Sequence, residues 1–481
     1  MKNKKIKEPT PLLSIIPVIV LVITLFFTIR LFGSDALEGG SQIVLLFASA
    51  VCCTIALVYS KIKWNVIETS IMDNVRGVAP ALFILLIIGA LAGSWMISGI
   101  VPSFIYYGIK IIHPKFFLLT ACIICSIVSV ITGSSWTTIA TIGVALLGVG
   151  QAQGIPIGWV AGAIISGGYF GDKISPLSDT TILASSVAET PLFKHIRYLM
   201  GTTVPSMIIT LIIFTIAGFN FTVITDLQID VYTILLKETF NITPWLFLVP
   251  LVTGIMIFKR VPTLVTLFLS AIMAAVFGII FQPNVISEIA GNGSVGIAAQ
   301  FKGMLITLFG STTICTGNPE MDELLCTRGM AGMLNTVWLI LCAVCFGGTM
   351  MASGMLKSLT SVMLRFMKKT VGVVASTVIS GLFFNVATAD QYISIIVTGK
   401  MFSASYKEKG YESRLLSRTI EDAVTVTSPL VPWNTCGMTQ ATILGVSTFV
   451  YFPYCFFNLL SPLMSIVVAA TGWGIKKEKN K

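Results

Sequence analysis

GGYFGDKISPLSDTT (Gly167–Thr181) and EDAVTVTSPLVPWNT (Glu421–Thr435) are two polar, helix-breaking stretches in a very apolar chain. Each carries the tripeptide Ser-Pro-Leu, as Ser175-Pro176-Leu177 and as Ser428-Pro429-Leu430, 253 positions apart. Hydroxyls, carboxylates and prolines are costly at membrane depth. Two matching patches at corresponding positions point to a site formed between structural repeats. Such a chain is expected to move an ion or small solute across a membrane.

The composition agrees. Of 481 residues, 55% are hydrophobic and 11% charged, and the mean hydropathy is +0.90, which excludes an ordinary soluble globular protein. Apolar runs such as Pro11–Phe32, Ile43–Ser60, Pro80–Ile97, Phe116–Ile131, Met200–Phe219 and Thr263–Phe281 approach the roughly 20 residues that cross a bilayer as a helix. With Trp245–Phe258, Val337–Met351, Val371–Val386 and two runs between Thr439 and Ala470, they predict an all-α integral membrane protein of about 12 transmembrane helices. The net charge of +10 comes from Lys and Arg at the ends of these runs, so no nucleic-acid partner is expected. Lys2, Lys4, Lys5 and Lys7 before the first span predict a cytoplasmic N-terminus, and Lys476, Lys477, Lys479 and Lys481 a cytoplasmic tail. The first span is too long for a cleaved signal peptide.

The ten cysteines lie mostly in apolar runs, and Cys122/Cys125 and Cys342/Cys345 read as small buried hydrophobes. With only His113 and His195 in the chain, a His-based transition-metal site is not expected. No GxxxxGK[ST], HExxH or well-placed GxSxG appears, which argues against an enzyme and against an ATP-driven pump. A channel is the competing reading from another class.

The internal match extends beyond the tripeptide. Gly93-Ser94-Trp95-Met96-Ile97-Ser98-Gly99 resembles Gly348-Thr349-Met350-Met351-Ala352-Ser353-Gly354 at a shift of 255. Thr132-Gly133-Ser134-Ser135 falls against Thr388-Ala389-Asp390-Gln391 at a shift of 256. The expected organisation is residues 1–63 as N-terminal transmembrane helices, 64–190 as repeat 1 and 191–318 as linking scaffold helices. Repeat 2 then covers 319–443, and 444–481 form a C-terminal helix and basic tail. Charge reports orientation. Tyr406–Arg418 carries Lys407, Lys409, Arg414 and Arg418, whereas its counterpart at Gly150–Pro156 is uncharged. After the first Ser-Pro-Leu come Lys194 and Arg197, whereas Thr439–Pro453 after the second is uncharged. The signs swap at both places, as expected of repeats that cross the membrane in opposite senses. Lys259-Arg260 marks one cytoplasmic turn, and Phe281–Gly296 reads as an external loop.

Four patches carry chemistry: Thr132–Thr138, Gly171–Thr181, Asn385–Gln391 and Glu421–Thr435. Gly and Pro free backbone carbonyls, while Ser, Thr, Asn and Asp supply hard oxygen ligands that suit Na⁺ over a transition metal. The candidate cation- and proton-binding residues are Asp172, Asp179, Asp390, Ser134, Ser135, Ser178, Thr180, Asn385, Thr388, Ser428, Asn434 and Thr435. Lys173, Arg418, Trp433, Glu421 and Asp422 are candidates for substrate contact or charge balance. Duller roles compete with these. Ser178 and Asp179 suit helix capping, Asp172 and Lys173 a neutralised neighbouring pair, Glu421 and Asp422 interfacial charges, and Thr132–Thr138 small-residue helix packing. Desolvation penalises a charged carboxylate, so Asp172, Asp179 and Asp390 are the groups expected to trade a proton for a cation.

At GGYFGDKISPLSDTT and TSPLVPWNT the chain resembles the NhaC family of Na⁺/H⁺ antiporters, essentially over its full length. The resemblance implies inverted repeats, re-entrant hairpins with tips near Thr132–Trp136 and Thr388–Gln391, and a transport domain moving against a scaffold as an elevator. It implies Na⁺ as the coupling ion with no other cofactor, and a homodimer through the scaffold. The high cysteine content and the absence of a secretory framework suggest a bacterial cytoplasmic membrane. Some relatives exchange organic anions such as malate and lactate, and others are described as amino-acid carriers. A Na⁺- and H⁺-coupled carrier of a small organic acid or amino acid is therefore the alternative.

Overall fold

In a bilayer every backbone polar group needs a partner within the protein, and an apolar chain meets that demand as helix. The computed structural model describes residues 8–32, 36, 38–221, 226–291, 296–364 and 369–475. The basic residues at both ends on which the orientation of the termini was expected to rest lie outside the described residues. No strand forms among the described residues, where a lone antiparallel bridge pairs Thr312 with Thr327.

The helices run in this order. First come α1 (Pro11–Phe32), α2 (Gly40–Val58), α3 (Trp64–Ile97), α4 (Ile100–Ile111) and α5 (Phe117–Thr132). Then α6 (Ser135–Thr138), a π turn over Ile139–Gly143 and α7 (Val144–Ala152) form one continuous arm. Next are α8 (Ile157–Ile174), α9 (Asp179–Val187), α10 (Leu192–Asn220), α11 (Asp226–Thr239), α12 (Leu248–Phe258) and α13 (Thr263–Phe281). They are followed by α14 (Pro283–Ile289), α15 (Ile297–Phe309), α16 (Pro319–Leu324), α17 (Leu334–Ala352), α18 (Met355–Leu364) and α19 (Thr370–Thr388). The chain ends with α20 (Gln391–Glu408), α21 (Ser413–Ile420), a π turn over Glu421–Thr425, α22 (Thr435–Leu444), α23 (Thr448–Tyr451) and α24 (Phe456–Thr471). Among the described residues, 9 helices are long and apolar enough to cross a membrane, or up to 11 if two bent pairs each count as a span. The expected count of about 12 included short runs that pair or break. Of the expected external loop, Pro283–Ile289 is helical and residues 292–295 lie outside the described residues.

Two hairpins organise the site. α5 and α8 run parallel, because their contacts advance together. A Cβ on Gly167 would meet the Cys122 carbonyl, and one on Gly171 the Ser126 carbonyl. Further along, Ser129 Oγ donates to the Gly168 carbonyl at 2.6 Å and Ser175 Oγ to the Val130 carbonyl at 2.8 Å. The α6–α7 arm returns between these levels, with Ser135 beside Asp172 and Gly150 against Phe117 and Val160. α5 and this arm therefore form a hairpin that turns at Gly133, left-handed with φ +68, where a Cβ would strike Leu177. The second hairpin, α19 and α20, turns at Ala389, also left-handed with φ +57. Its tip is tied to the start of α22, since Thr435 N donates to the Ala389 carbonyl at 2.8 Å.

The helix α10 shows that the hairpins enter from opposite faces. Near one end Lys194 lies 3.9 Å from Glu412, at the base of the second hairpin. Near the other, Gly218 abuts the Lys115 carbonyl, at the base of the first. Residues 194 and 218 of one helix are about 36 Å apart at 1.5 Å per residue, which exceeds the roughly 30 Å hydrocarbon core.

Hydrogen bonds repeat between the hairpins at a constant shift. Thr132 Oγ1 donates to the Ser134 carbonyl at 3.2 Å, and Thr388 Oγ1 to the Asp390 carbonyl at 3.1 Å. Thr138 Oγ1 donates to the Ser134 carbonyl at 2.9 Å, and Ser394 Oγ to the Asp390 carbonyl at 2.7 Å. The bond from Ser129 to Gly168 recurs as Asn385 Nδ2 donating to the Val424 carbonyl at 2.7 Å. Every pair is 256 positions apart, so the Ser-Pro-Leu match at 253 is three positions out of structural register. Pro176 corresponds to Pro432, and Asp172 to Ser428. The reason is local: α8 stays helical to Ile174, whereas the second unit leaves the π turn at Thr425 and breaks earlier.

The close α5–α8 approach gives a test. Gly167→Ala forces a methyl into the Cys122 carbonyl and is expected to cost about 1–3 kcal/mol, lowering the thermal midpoint in detergent by several degrees. Gly77→Ala, whose Cβ would enter open space, is expected to leave the midpoint unchanged or slightly raised.

Candidate functional site

Four helices begin at the hairpin tips and the two breaks. Ser134 caps the α6–α7 arm by accepting from Thr137 N at 3.2 Å, and Asp390 caps α20 by accepting from Ile393 N at 2.9 Å. Ser178 caps α9 and Asn434 caps α22, whose side chain accepts from Cys436 N at 3.1 Å. Tip and break interleave across the repeats: α9 packs on α20, and α22 on the π turn of the first hairpin. Each helix start directs free N–H groups and the positive end of its dipole into one region.

The two buried carboxylates of this region occupy non-equivalent places. Asp172 lies on the broken helix of the first unit, where its Oδ2 accepts from Ser135 Oγ at 2.7 Å and from Ser135 N at 3.2 Å. Its counterpart Ser428 donates to Gln391 Oε1 at 3.2 Å. Asp390 lies on the hairpin tip of the second unit, and its Oδ2 accepts from Thr435 Oγ1 at 3.0 Å. Its counterpart at the first tip is Ser134. Asp179 corresponds in turn to Thr435, so a carboxylate and a hydroxyl exchange places between the units. Neither Asp172 nor Asp390 forms an ion pair among the described residues.

The remaining candidates divide. Asn385 donates to Thr427 Oγ1 at 3.0 Å and its carbonyl accepts from Asn434 Nδ2 at 3.1 Å, which clamps the second break to α19. Trp433 Nε1 donates to the Val386 carbonyl at 2.9 Å and belongs to the same clamp. Thr388 and Ser394 hydroxyls are 2.8 Å apart beneath the tip. Thr180 is buried with its hydroxyl 3.0 Å from Ser178 Oγ, whereas Asp179 is exposed. The capping role considered for both Ser178 and Asp179 falls to Ser178.

Two sequence alternatives are corrected by the geometry. Lys173 does not pair with Asp172, because neighbours on a helix point about 100° apart. It pairs instead with Asp422 and donates to Ser461 Oγ at 2.8 Å, with both ions fully buried. Glu421 and Asp422 are not interfacial but fully buried, and Arg418 Nε lies 3.8 Å from Asp422 Oδ2. Lys173 and Arg418 are therefore already engaged with a protein carboxylate.

Sequence reasoning missed Tyr392, which interacts electrostatically with Asp172, Asp179 and Asp390. The 256-residue shift places it opposite Trp136 of the first hairpin, and that register was the available signal. It also missed Thr202, whose Oγ1 donates to Asp422 Oδ1 at 3.0 Å. The polar spacing of His195, Tyr198, Thr202 and Ser206 along one face of α10 could have revealed it. A cavity of about 250 Å³ lies beside the first tip, lined by Thr132, Thr137, Leu177 and the α12–α13 turn with exposed Arg260.

Comparison with known proteins shows the family. The chain matches the Na⁺/H⁺ antiporter family over residues 8–188 and 167–473. It is 35% identical over 425 residues to the Na(+)/H(+) antiporter NhaC of Bacillus subtilis, covering 88% of this chain and 91% of that one. Identity to the Na(+)/H(+) antiporter NhaC of Alkalihalophilus pseudofirmus is 36% over 434 residues, covering 89% and 91%. The malate-2H(+)/Na(+)-lactate antiporter of Bacillus subtilis is 34% identical over 468 residues, covering 96% of each chain.

The clamp at the second break is testable separately from transport. Asn385→Ala leaves the Val424 carbonyl without its donor and is expected to cost about 1–3 kcal/mol. Ser129→Ala removes the single equivalent bond and is expected to cost about 1 kcal/mol. Thermal unfolding of the two variants should show the larger loss for Asn385→Ala.

Proposed function

The chain belongs to the Na⁺/H⁺ antiporter family, and we propose that it exchanges Na⁺ for protons by alternating access at the region between the hairpin tips. The observation that carries this reading is the pair Asp172 and Asp390. Both are buried, both meet only neutral N–H and O–H donors, and neither is balanced by a Lys or Arg among the described residues. A buried carboxylate without a cationic partner is stable only when a proton or an added cation neutralises it.

Na⁺ meets Asp390 and Thr435 on one side and Asp172 and Ser135 on the other. Ser134, Ser178, Thr180, Asp179, Thr388, Ser428 and Asn434 supply further hydroxyl, carboxylate and carbonyl oxygens around it. The four helix starts supply N–H donors that stabilise the carboxylates when no cation is present. The hairpins and broken helices move as one unit against the α1–α3 side, in the manner of an elevator. Lys407, Lys409 and Arg414 at the base of the second hairpin, with Lys259 and Arg260, lie at the cytoplasmic face of a bacterial inner membrane. The cavity beside the first tip then leads toward the cytoplasm.

Na⁺-coupled exchange of a small organic acid is the second reading, favoured by the likeness to the malate/lactate antiporter. Against it, the buried cations nearest the site, Lys173 and Arg418, are held by Asp422.

The deciding assay follows internal pH in proteoliposomes after addition of Na⁺, Li⁺ or K⁺ without organic solute. A Na⁺-driven pH change is expected from the native protein. Losing a charged ligand at a desolvated site costs on the order of 3–5 kcal/mol, or about 10²–10⁴-fold in affinity, so Asp390→Asn and Asp172→Asn are expected to abolish it. Normal exchange in both variants contradicts the site. A response that appears only with an organic acid supports the second reading.

A further inference from the structure

A buried polar seam joins the site to the base of the second hairpin. α21 and its π turn carry Arg414, Arg418, Glu421 and Asp422 on one face, at spacings of three and four. α10 meets them with His195, Tyr198 and Thr202. His195 Nδ1 is 2.7 Å from Ser417 Oγ, and the guanidiniums of Arg414 and Arg418 each stack 4.6 Å from the Tyr198 ring. Exposure falls from 19% at Arg414 to 1% at Arg418 and to zero at Glu421 and Asp422. Lys173, from α8, closes the inner end on Asp422.

Glu421 stands apart in this seam. Neither of its carboxylate oxygens meets hydrogen-bond geometry among the described residues, although the side chain is fully buried and the Thr425 hydroxyl on the same turn lies close to it. Its electrostatic neighbours are Lys173 and Asp172 on α8 and Asp422 on its own turn. The other elements packed on the turn add little charge. α19 and α24 carry no titratable side chain, Asp179 on α9 and Lys400 on α20 are exposed, and the Tyr406 hydroxyl on α20 is 3.0 Å from Thr377 Oγ1. His195 on α10 interacts with Lys173.

Asp390 is offset by the N–H groups at the start of α20, which it caps; the other buried charges comprise two cations, Lys173 and Arg418, and three carboxylates, Asp172, Glu421 and Asp422. One carboxylate is in excess, and an uncompensated buried charge is strongly disfavoured. Asp422 is held by both cations, which leaves Asp172 and Glu421 to share the deficit. Resting on the antiporter reading above, we propose that Glu421 carries the transported proton and that the α10–α21 seam is its route to the Arg414 face. Na⁺ bound at Asp172, or a proton on a Glu421 oxygen, each restores neutrality. Holding both, or neither, leaves the network with a net buried charge. Exchange at fixed charge follows from this alternative without a covalent step.

The test compares two fluxes in the same proteoliposomes, namely Na⁺-driven pH change and self-exchange of radioactive Na⁺ across the membrane. The proposal expects Glu421→Gln, fixed in the proton-loaded charge state, to lose the pH change and most Na⁺ self-exchange, and Glu421→Asp to retain the pH change with a displaced pH profile. It is overturned if Glu421→Gln still moves protons, if that variant, folded by gel filtration and thermal midpoint, self-exchanges Na⁺ at the native level, or if Glu421→Asp keeps the native pH profile. Should Glu421→Gln fail to fold, the pH profile of Glu421→Asp decides: displacement supports the proposal and an unchanged profile overturns it. Native protein that shows no Na⁺-driven pH change contradicts the antiporter reading itself, and this proposal with it.

Discussion

The structure depends on one constraint: where a helix breaks at bilayer depth, the freed backbone groups must find partners inside the protein. Each break here is met by a hairpin tip. The Ala389 carbonyl takes the amide of Thr435, the Val424 carbonyl takes the Asn385 side chain, and the Val130 carbonyl in the last turn before the first tip takes the Ser175 hydroxyl. The tip residues must therefore approach the breaks closely, which is why Gly133 touches Leu177 and why both tips adopt left-handed backbone. Irregular backbone becomes tolerable only as this interlocked arrangement, and the arrangement collects four helix starts at one depth.

Symmetry supplies the frame, and departures from symmetry supply the chemistry. The backbone bonds repeat at a shift of 256, but the carboxylates do not: Asp172 answers to Ser428, Asp390 to Ser134 and Asp179 to Thr435. Two repeats with identical side chains would set like charges close together, at a large cost in a desolvated region. Alternating carboxylate with hydroxyl separates the charges and leaves oxygen ligands on both sides. The π turn at Glu421–Thr425 is a second departure, since the equivalent stretch of α8 is α-helical. It lies where the buried ion pairs collect.

Much of the architecture was legible in the sequence, because its signals are local. Apolar runs gave the spanning helices, the swapped Lys and Arg loops gave the inversion, and the family resemblance implied tips near Thr132–Trp136 and Thr388–Gln391. The Ser-Pro-Leu tripeptide misled by three residues, since the two units leave the helix at different points. Pairings across the fold were beyond reach. Lys173 stands beside Asp172 in sequence yet binds Asp422, 249 positions away. Glu421 and Asp422 read as interfacial beside Arg418 because nothing local reports that α10 covers them. Tyr392 was hidden by its unremarkable neighbours until the structural register aligned it with Trp136.

The central claim is that Na⁺ and protons compete for one buried, carboxylate-rich network. The most direct test is the Na⁺ affinity of the purified protein, measured by calorimetry over a range of pH. Competition with a single proton predicts that affinity falls about tenfold for each unit of pH on the acid side and levels off on the alkaline side. Na⁺ affinity that does not change with pH, or no Na⁺ binding at any pH, would contradict the account.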